Sequence, residues 1–258
     1  MQSHSTTLDL TPFSGQVVEP VTLALAGQAI VAERDPSNHL YELGRDVTAI
    51  SPKPYSAQFQ RIEYEDEDLV KAGDAASLDQ RSQLILYLVH PENAQYRTDL
   101  PAYYITAVSP EMPGNIVFQV SKTLLQKPEF KAMISPGKTT RDSDLFDATS
   151  QKTLFHIKPK WQGGQYQWTD SGGVKVAYES SKNTEHKLVI LEPLTRATRD
   201  VLAALWALRI WHDVAESRAA KRDELERLTA PDKPSPYPDM KWAKRAGALG
   251  AAAGGGGA

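Results

Sequence analysis

Apolar and polar positions along the chain fall into two regimes. Up to about residue 190 the apolar residues come in short runs rich in β-branched and aromatic side chains, at 40–47, 58–64, 84–89, 103–108 and 116–120, as strands require. After residue 150 the alternation is clearest. Phe155 and Ile157 share one face of a strand, with His156 and Lys158 on the other. Tyr166 and Trp168 face together, away from Gln165 and Gln167. Val174, Val176 and Tyr178 alternate with Lys175 and Glu179, and a run at 188–191 follows. A period of two places each set on one side of a sheet. The connectors at 159–164, 170–173 and 180–186 are short and turn-rich, which predicts antiparallel neighbours.

Beyond Pro193 the period changes. Residues 198–228 lack Pro and Gly and are rich in Ala, Leu, Arg and Glu, so one helix is expected there. Thr195 or Thr198 can cap it, and Asp200 suits the positive end of its dipole. Val201 to Leu208, with Ile210 and Trp211, cover every side of that helix. A helix that is apolar all round is buried all round. From Glu216 onward it turns polar on all faces and should emerge into water. A two-layer fold would leave one side of Trp206 or Trp211 wet. A sheet closed around the helix buries it and removes exposed strand edges. The expected fold is therefore mainly β: a closed antiparallel barrel threaded by a hydrophobic C-terminal helix, forming one domain over 21–228. Residues 1–20 read as a loose arm. Residues 229–258, with Pro231, Pro234, Pro236 and Pro238 and an Ala/Gly-rich end, read as a disordered tail.

This arrangement resembles the tubby C-terminal-like superfamily, shared by tubby proteins, LURP-one-related proteins and phospholipid scramblases. The residues carrying the resemblance are Trp161-Gln-Gly-Gly-Gln-Tyr-Gln-Trp168, Val176-Ala-Tyr-Glu179, Leu188-Val-Ile-Leu191 and the helix from Asp200 to His212. They are most similar to the last strands and helix of fungal tubby-like proteins. The resemblance implies about 12 strands around a central helix and a non-enzymatic binding module for anionic phospholipid, phosphoinositide or protein. It carries no site residue across, and a fold does not by itself assign a function.

Composition narrows the chemistry. The chain has 258 residues and is 41% hydrophobic and 24% charged, enough apolar material for a proper core. Its net charge of −3 argues against a bulk nucleic-acid binder. The absence of cysteine removes disulfides, thiolate zinc sites and cysteine nucleophiles. The polar N-terminus lacks a secretory pattern, and neither the apolar stretch at 21–32 nor the helix reaches the roughly 20 apolar residues a membrane span needs. The expectation is a cytoplasmic protein, at most peripheral to a membrane.

Catalytic signatures are absent. Ser135-Pro-Gly-Lys-Thr139 has Ala132 where a phosphate-binding loop needs glycine, and reads as a surface turn. His4, His39, His90, His156, His186 and His212 are not paired at metal-ligand spacing. The acidic run at 63–68 lacks the pattern of a calcium loop. No catalytic residue, metal or cofactor is assigned. Charge is nevertheless uneven: residues 61–100 carry four Lys/Arg against nine Asp/Glu, and residues 121–160 carry eight against four. Lys122, Lys127, Lys131, Lys138 and Arg141 are accordingly the candidate contacts to an anionic lipid surface, where a well-placed cation contributes roughly 1 kcal/mol. Arg209 is the one cation in the apolar helix segment, with Asp213 at i+4. It reads as a buried ion pair, or as an anion contact at the barrel mouth. The proline-rich tail is a candidate docking segment for a protein partner. Two alternatives stay open: a small-ligand carrier or enzyme with its pocket at the barrel mouth, and a scaffold acting through that tail.

Overall fold

The computed structural model describes residues 15–50, 56–64, 80–91, 94, 97–121, 127–160, 165–182 and 185–229. Among the described residues fourteen strands precede two helices. The strands are β1 (Val17–Val18), β2 (Thr22–Ala26), β3 (Ala29–Ala32), β4 (Asp35–Leu43), β5 (Ser56–Tyr64), β6 (Gln80–Val89) and β7 (Tyr104–Ala107). They continue with β8 (Gly114–Ser121), β9 (Glu129–Pro136), β10 (Lys152–Pro159), β11 (Tyr166–Asp170), β12 (Lys175–Lys182), β13 (Glu185–Ile190) and β14 (Leu194–Thr195). The helices are α1 (Arg196–Ala215) and α2 (Arg218–Thr229).

Strands β2 to β13 form a closed antiparallel barrel in which each strand pairs with its neighbours in sequence. The two ends of the run meet at β13 and β2, through Lys187↔Ala24, Leu188↔Leu23 and Val189↔Thr22. Closure leaves no barrel edge for another chain to extend. The short pair β1–β14 forms a separate two-stranded sheet.

Helix α1 fills the barrel. Every residue from Asp200 to His212 is buried, so protein surrounds this segment on all sides. Inward strand residues meet it, among them Leu23, Tyr41, Phe59, Leu86, Ile105, Phe118, Ile157, Trp168 and Leu188, all 2% exposed or less. Thr195 is the N-cap, and its hydroxyl accepts the Thr198 N–H at 3.3 Å. No described helix is long and apolar enough to cross a membrane.

Three features differ from the sequence expectation. First, β2, β3 and β9, and the two-residue strands β1 and β14, are strands that no predicted run covers. β2 and β3 form a hairpin around Gly27, whose φ of 62° suits a glycine. In β9, Phe130, Ala132 and Ile134 are buried, and Lys131 and Met133 between them are half-buried on the outer side. Second, the expected single helix over 198–228 is two. Glu216 donates its backbone N–H to His212 O and closes α1, and the Ser217 hydroxyl accepts the Ala220 N–H at 3.1 Å and opens α2. Serine favours that capping role. The chain divides there into two units, residues 1–216 and 217–258, and α2 is a charged helix of the second. Third, the alternation in β12 slips. Trp168 faces Ala177 while Thr169 faces Lys175, so Val176 is an extra residue, a β-bulge. Ala177 and Glu179 therefore face the core, and Val174 is 53% exposed. The expected arm and tail lie outside the described residues, apart from residues 15–20 and Thr229.

Candidate functional site

β4 brings Tyr41 to Asp200 toward the N-terminal end of α1, and Arg45 just beyond β4 lies over the Trp211 ring toward the C-terminal end. Each end carries a buried ion cluster.

At the N-terminal end Asp200, fully buried, accepts hydrogen bonds from the Tyr41 hydroxyl at 2.7 Å and from Arg61 Nη1 at 3.0 Å. Arg61 also donates to Gln83 and Glu111 at 2.6 and 2.7 Å, and Arg199 Nε donates to the Tyr41 oxygen at 3.1 Å. Burial raises the Asp200 carboxyl above its ordinary range, while Tyr41 and Arg61 pull it back. Asp200 thus serves as an ion-pair partner one turn beyond the helix's first turn. The expected role at the dipole is not the one it plays.

At the C-terminal end Arg209, 3% exposed, lies between two carboxylates. Glu179 Oε2 is 2.5 Å from Nη2, and Asp213 Oδ2 is 2.6 Å from Nη1. Its guanidinium carbon sits 4.6 Å from the Tyr166 ring centre. Glu179 also accepts the Trp168 indole N–H at 3.0 Å. Burial pushes the Glu179 carboxyl up to about 7, against the opposing charge of Arg209. Burial acts the same way on Asp213, but His212 and Arg209 outweigh it and hold that carboxyl below its usual range. The expected Arg209–Asp213 pair is present, and a second carboxylate joins it. A cation already held by two carboxylates is a poor receptor for a further anion. Around it Tyr103, Phe130, Tyr166, Trp211, His90 and His212 pack ring against ring.

The candidate lysines do not form one patch. Lys122 lies outside the described residues. Lys127 precedes β9, with its ammonium 6.0 Å from the Tyr166 ring centre. Lys131 is mid-strand, between Gln119 and His156. Lys138 and Arg141 lie in the loop after β9, at the strand's far end. Eight strand residues span on the order of 25 Å, so Lys127 and Lys138 are on opposite ends of the barrel wall. Ser135–Thr139 forms the strand end and a turn in which Thr139 binds Asp142, and no helix follows.

Strand register assembles a different set. Lys131, His156 and Thr169 lie side by side, and Lys175 pairs with Thr169. On the next row Lys158, Gln167 and Tyr178 are neighbours. The ammonium groups of Lys160 and Lys175 sit 4.7 and 5.0 Å from the Tyr178 ring centre. One outer face over β9–β12 thus gathers Lys131, Lys158, Lys160 and Lys175. Among the described residues its one ion pair is Lys158–Glu129, at 3.9 Å. Lys187 on neighbouring β13 contrasts with them, being held between Glu33 and Glu185 at 2.8 and 2.9 Å. Lys158 and Lys160 were visible in the sequence as part of the basic segment. Lys175 was not, because only cross-strand pairing brings it there.

Among the described residues no group of three or more His, Asp or Glu can hold a metal ion. Comparison with family models, with curated proteins and with solved structures returned no match in any of the three.

Proposed function

We propose that this chain is a non-enzymatic binding module of the tubby C-terminal-like type that docks on anionic phospholipid through the outer face of β9–β12. The observation that carries this reading is the gathering of Lys131, Lys158, Lys160 and Lys175 on one wall with a single carboxylate, Glu129, paired among them. Lysines over an anionic bilayer gain surface-potential energy, and a tyrosine between them suits the headgroup layer. The module acts from the cytoplasmic side, as a peripheral protein.

Vesicle co-sedimentation tests the proposal, with phosphatidylcholine alone, with added phosphatidylserine and with added phosphoinositide, at low and physiological salt. The expected result is salt-sensitive binding to the anionic vesicles. Replacing Lys131, Lys158, Lys160 and Lys175 together by Glu should weaken it at least about a hundredfold, given roughly 1 kcal/mol per cation. Lys138→Glu with Arg141→Glu, at the far end of β9, should leave it nearly unchanged. Equal binding by the fourfold variant, or no binding to any anionic vesicle, overturns the proposal.

A further inference from the structure

The opposite character appears on another part of the barrel wall. Strand pairing sets Ser56, Val89 and Tyr104 in one outward row and Gln58, Tyr87 and Thr106 in the next. β7 and β8 pair over two rungs, Tyr104↔Val117 and Ile105↔Ile116, and then part. Into that gap folds the loop between β9 and β10. Asn115, fully buried, fastens it: its oxygen accepts the Ala107 N–H at 2.8 Å, and its amide nitrogen donates to Thr139 O and Leu145 O at 3.0 and 2.9 Å. Thr140 N donates to Ala107 O at 2.9 Å, and Phe146 packs its edge on Tyr104 at 5.4 Å between ring centres. The loop is thereby a fixed wall facing the sheet.

Between wall and sheet runs an open groove of about 740 Å³, within the size range of small-ligand sites. Its chemistry is uniform. Ser56, Tyr87, Tyr104, Thr106 and Thr140 offer hydroxyls, Gln58 an amide, and Val89 and Leu145 apolar surface. Among the described residues no lining residue is formally charged. Among the described residues none hydrogen-bonds those five hydroxyls. Gly44 also lines it, where a Cβ would stand 3.2 Å from Gln58 Cβ.

We infer that this groove is a binding site for a neutral, polyhydroxylated ligand, a short oligosaccharide. Anionic headgroups and cationic ligands find no counter-charge among its described lining residues. A sugar ring presents hydroxyls to match the neutral donors and acceptors, and an apolar C–H face to lie against Tyr87. Open grooves suit chain-like ligands whose outer side stays in water.

The test is an NMR titration of the full chain with neutral hexasaccharides: cellohexaose, maltohexaose, laminarihexaose and chitohexaose. At least one should bind in the millimolar range or tighter, with shifts centred on β5–β7 and the 137–151 loop. Tyr87→Ala should weaken binding about tenfold through the lost aromatic surface. Ser56→Trp, which plugs the groove from an exposed position, should abolish it. The fourfold lysine variant should bind the sugar as the parent does, which separates this site from the lipid face. Failure of all four sugars overturns the inference. Sugar binding that survives Ser56→Trp does so too, as does binding of a neutral Ser/Gln/Gly peptide with no sugar bound.

Discussion

Toward its N-terminus α1 contributes a carboxylate, Asp200, to a guanidinium on a strand, Arg61. About 14 Å further along the helix it contributes a guanidinium, Arg209, to a carboxylate on a strand, Glu179. The two clusters invert each other's polarity and differ in how they are satisfied. Asp200 takes a neutral hydroxyl as well as a cation, and Arg61 has further partners toward the surface in Glu111, Gln83 and Glu63. Arg209 holds one deeply buried carboxylate and one half-exposed. The deep one, Glu179, is poised near neutrality. Together the clusters fix how far α1 is threaded and how it is rotated, since a shift of one residue would bury a charge without its partner. One end pins the helix firmly, whereas the other responds to protonation.

The largest effect should come from breaking the responsive end. Arg209→Met leaves Glu179 buried with the Trp168 N–H for company, and should cost about 3–5 kcal/mol in urea unfolding at neutral pH. Adding Glu179→Leu should recover much of that loss. A loss below about 1 kcal/mol would remove the ion pair from the account of how the helix is held.

The next effect concerns pH. Glu179 has a higher pKa folded than unfolded, so its contribution is fully present below the unfolded value near 4.5 and lost as pH rises through about 7. Unfolding free energy should therefore fall across that window by a Glu179-dependent amount of about 3 kcal/mol. Glu179→Gln should flatten this part of the curve. If parent and variant keep parallel pH profiles, the two ends do not differ as described.

The smallest effect probes the firm end. Tyr41→Phe removes the hydroxyl that donates to Asp200 and accepts from Arg199. The expected cost is about 1–2 kcal/mol with little pH dependence between 5 and 8, since Asp200 keeps Arg61. A larger, pH-dependent loss would show that the hydroxyl, not the guanidinium, keeps Asp200 charged.

The sequence made some of this legible and hid the rest. The all-apolar run from Val201 to Leu208 demands burial on every side, which is why a barrel around a helix follows from it. Arg209 with Asp213 is a local i+4 relation, visible without a fold. Alternation running straight through Val176 puts Glu179 on the outer face. A single extra residue inverts every position after it, and nothing in the local sequence marks it. Arg61 and Asp200 are 139 positions apart, beyond any pattern a window can see. The cationic face was half visible. Adjacency in sequence favoured Lys138 and Arg141, whereas strand register favoured Lys158, Lys160 and Lys175.

The threaded helix also bears on how the protein is made. The last barrel strand ends at Ile190 and the helix at Ala215, so during synthesis all twelve staves exist before the rod they close upon. At typical elongation rates that interval lasts on the order of 1–5 s. Throughout it the nascent sheet has unfilled apolar lining and two open edges, β2 and β13, whose partners are each other. The hollow state thus belongs to the nascent chain, and a chaperone that shields apolar strands in that interval should raise the yield of folded protein more than aid given after release.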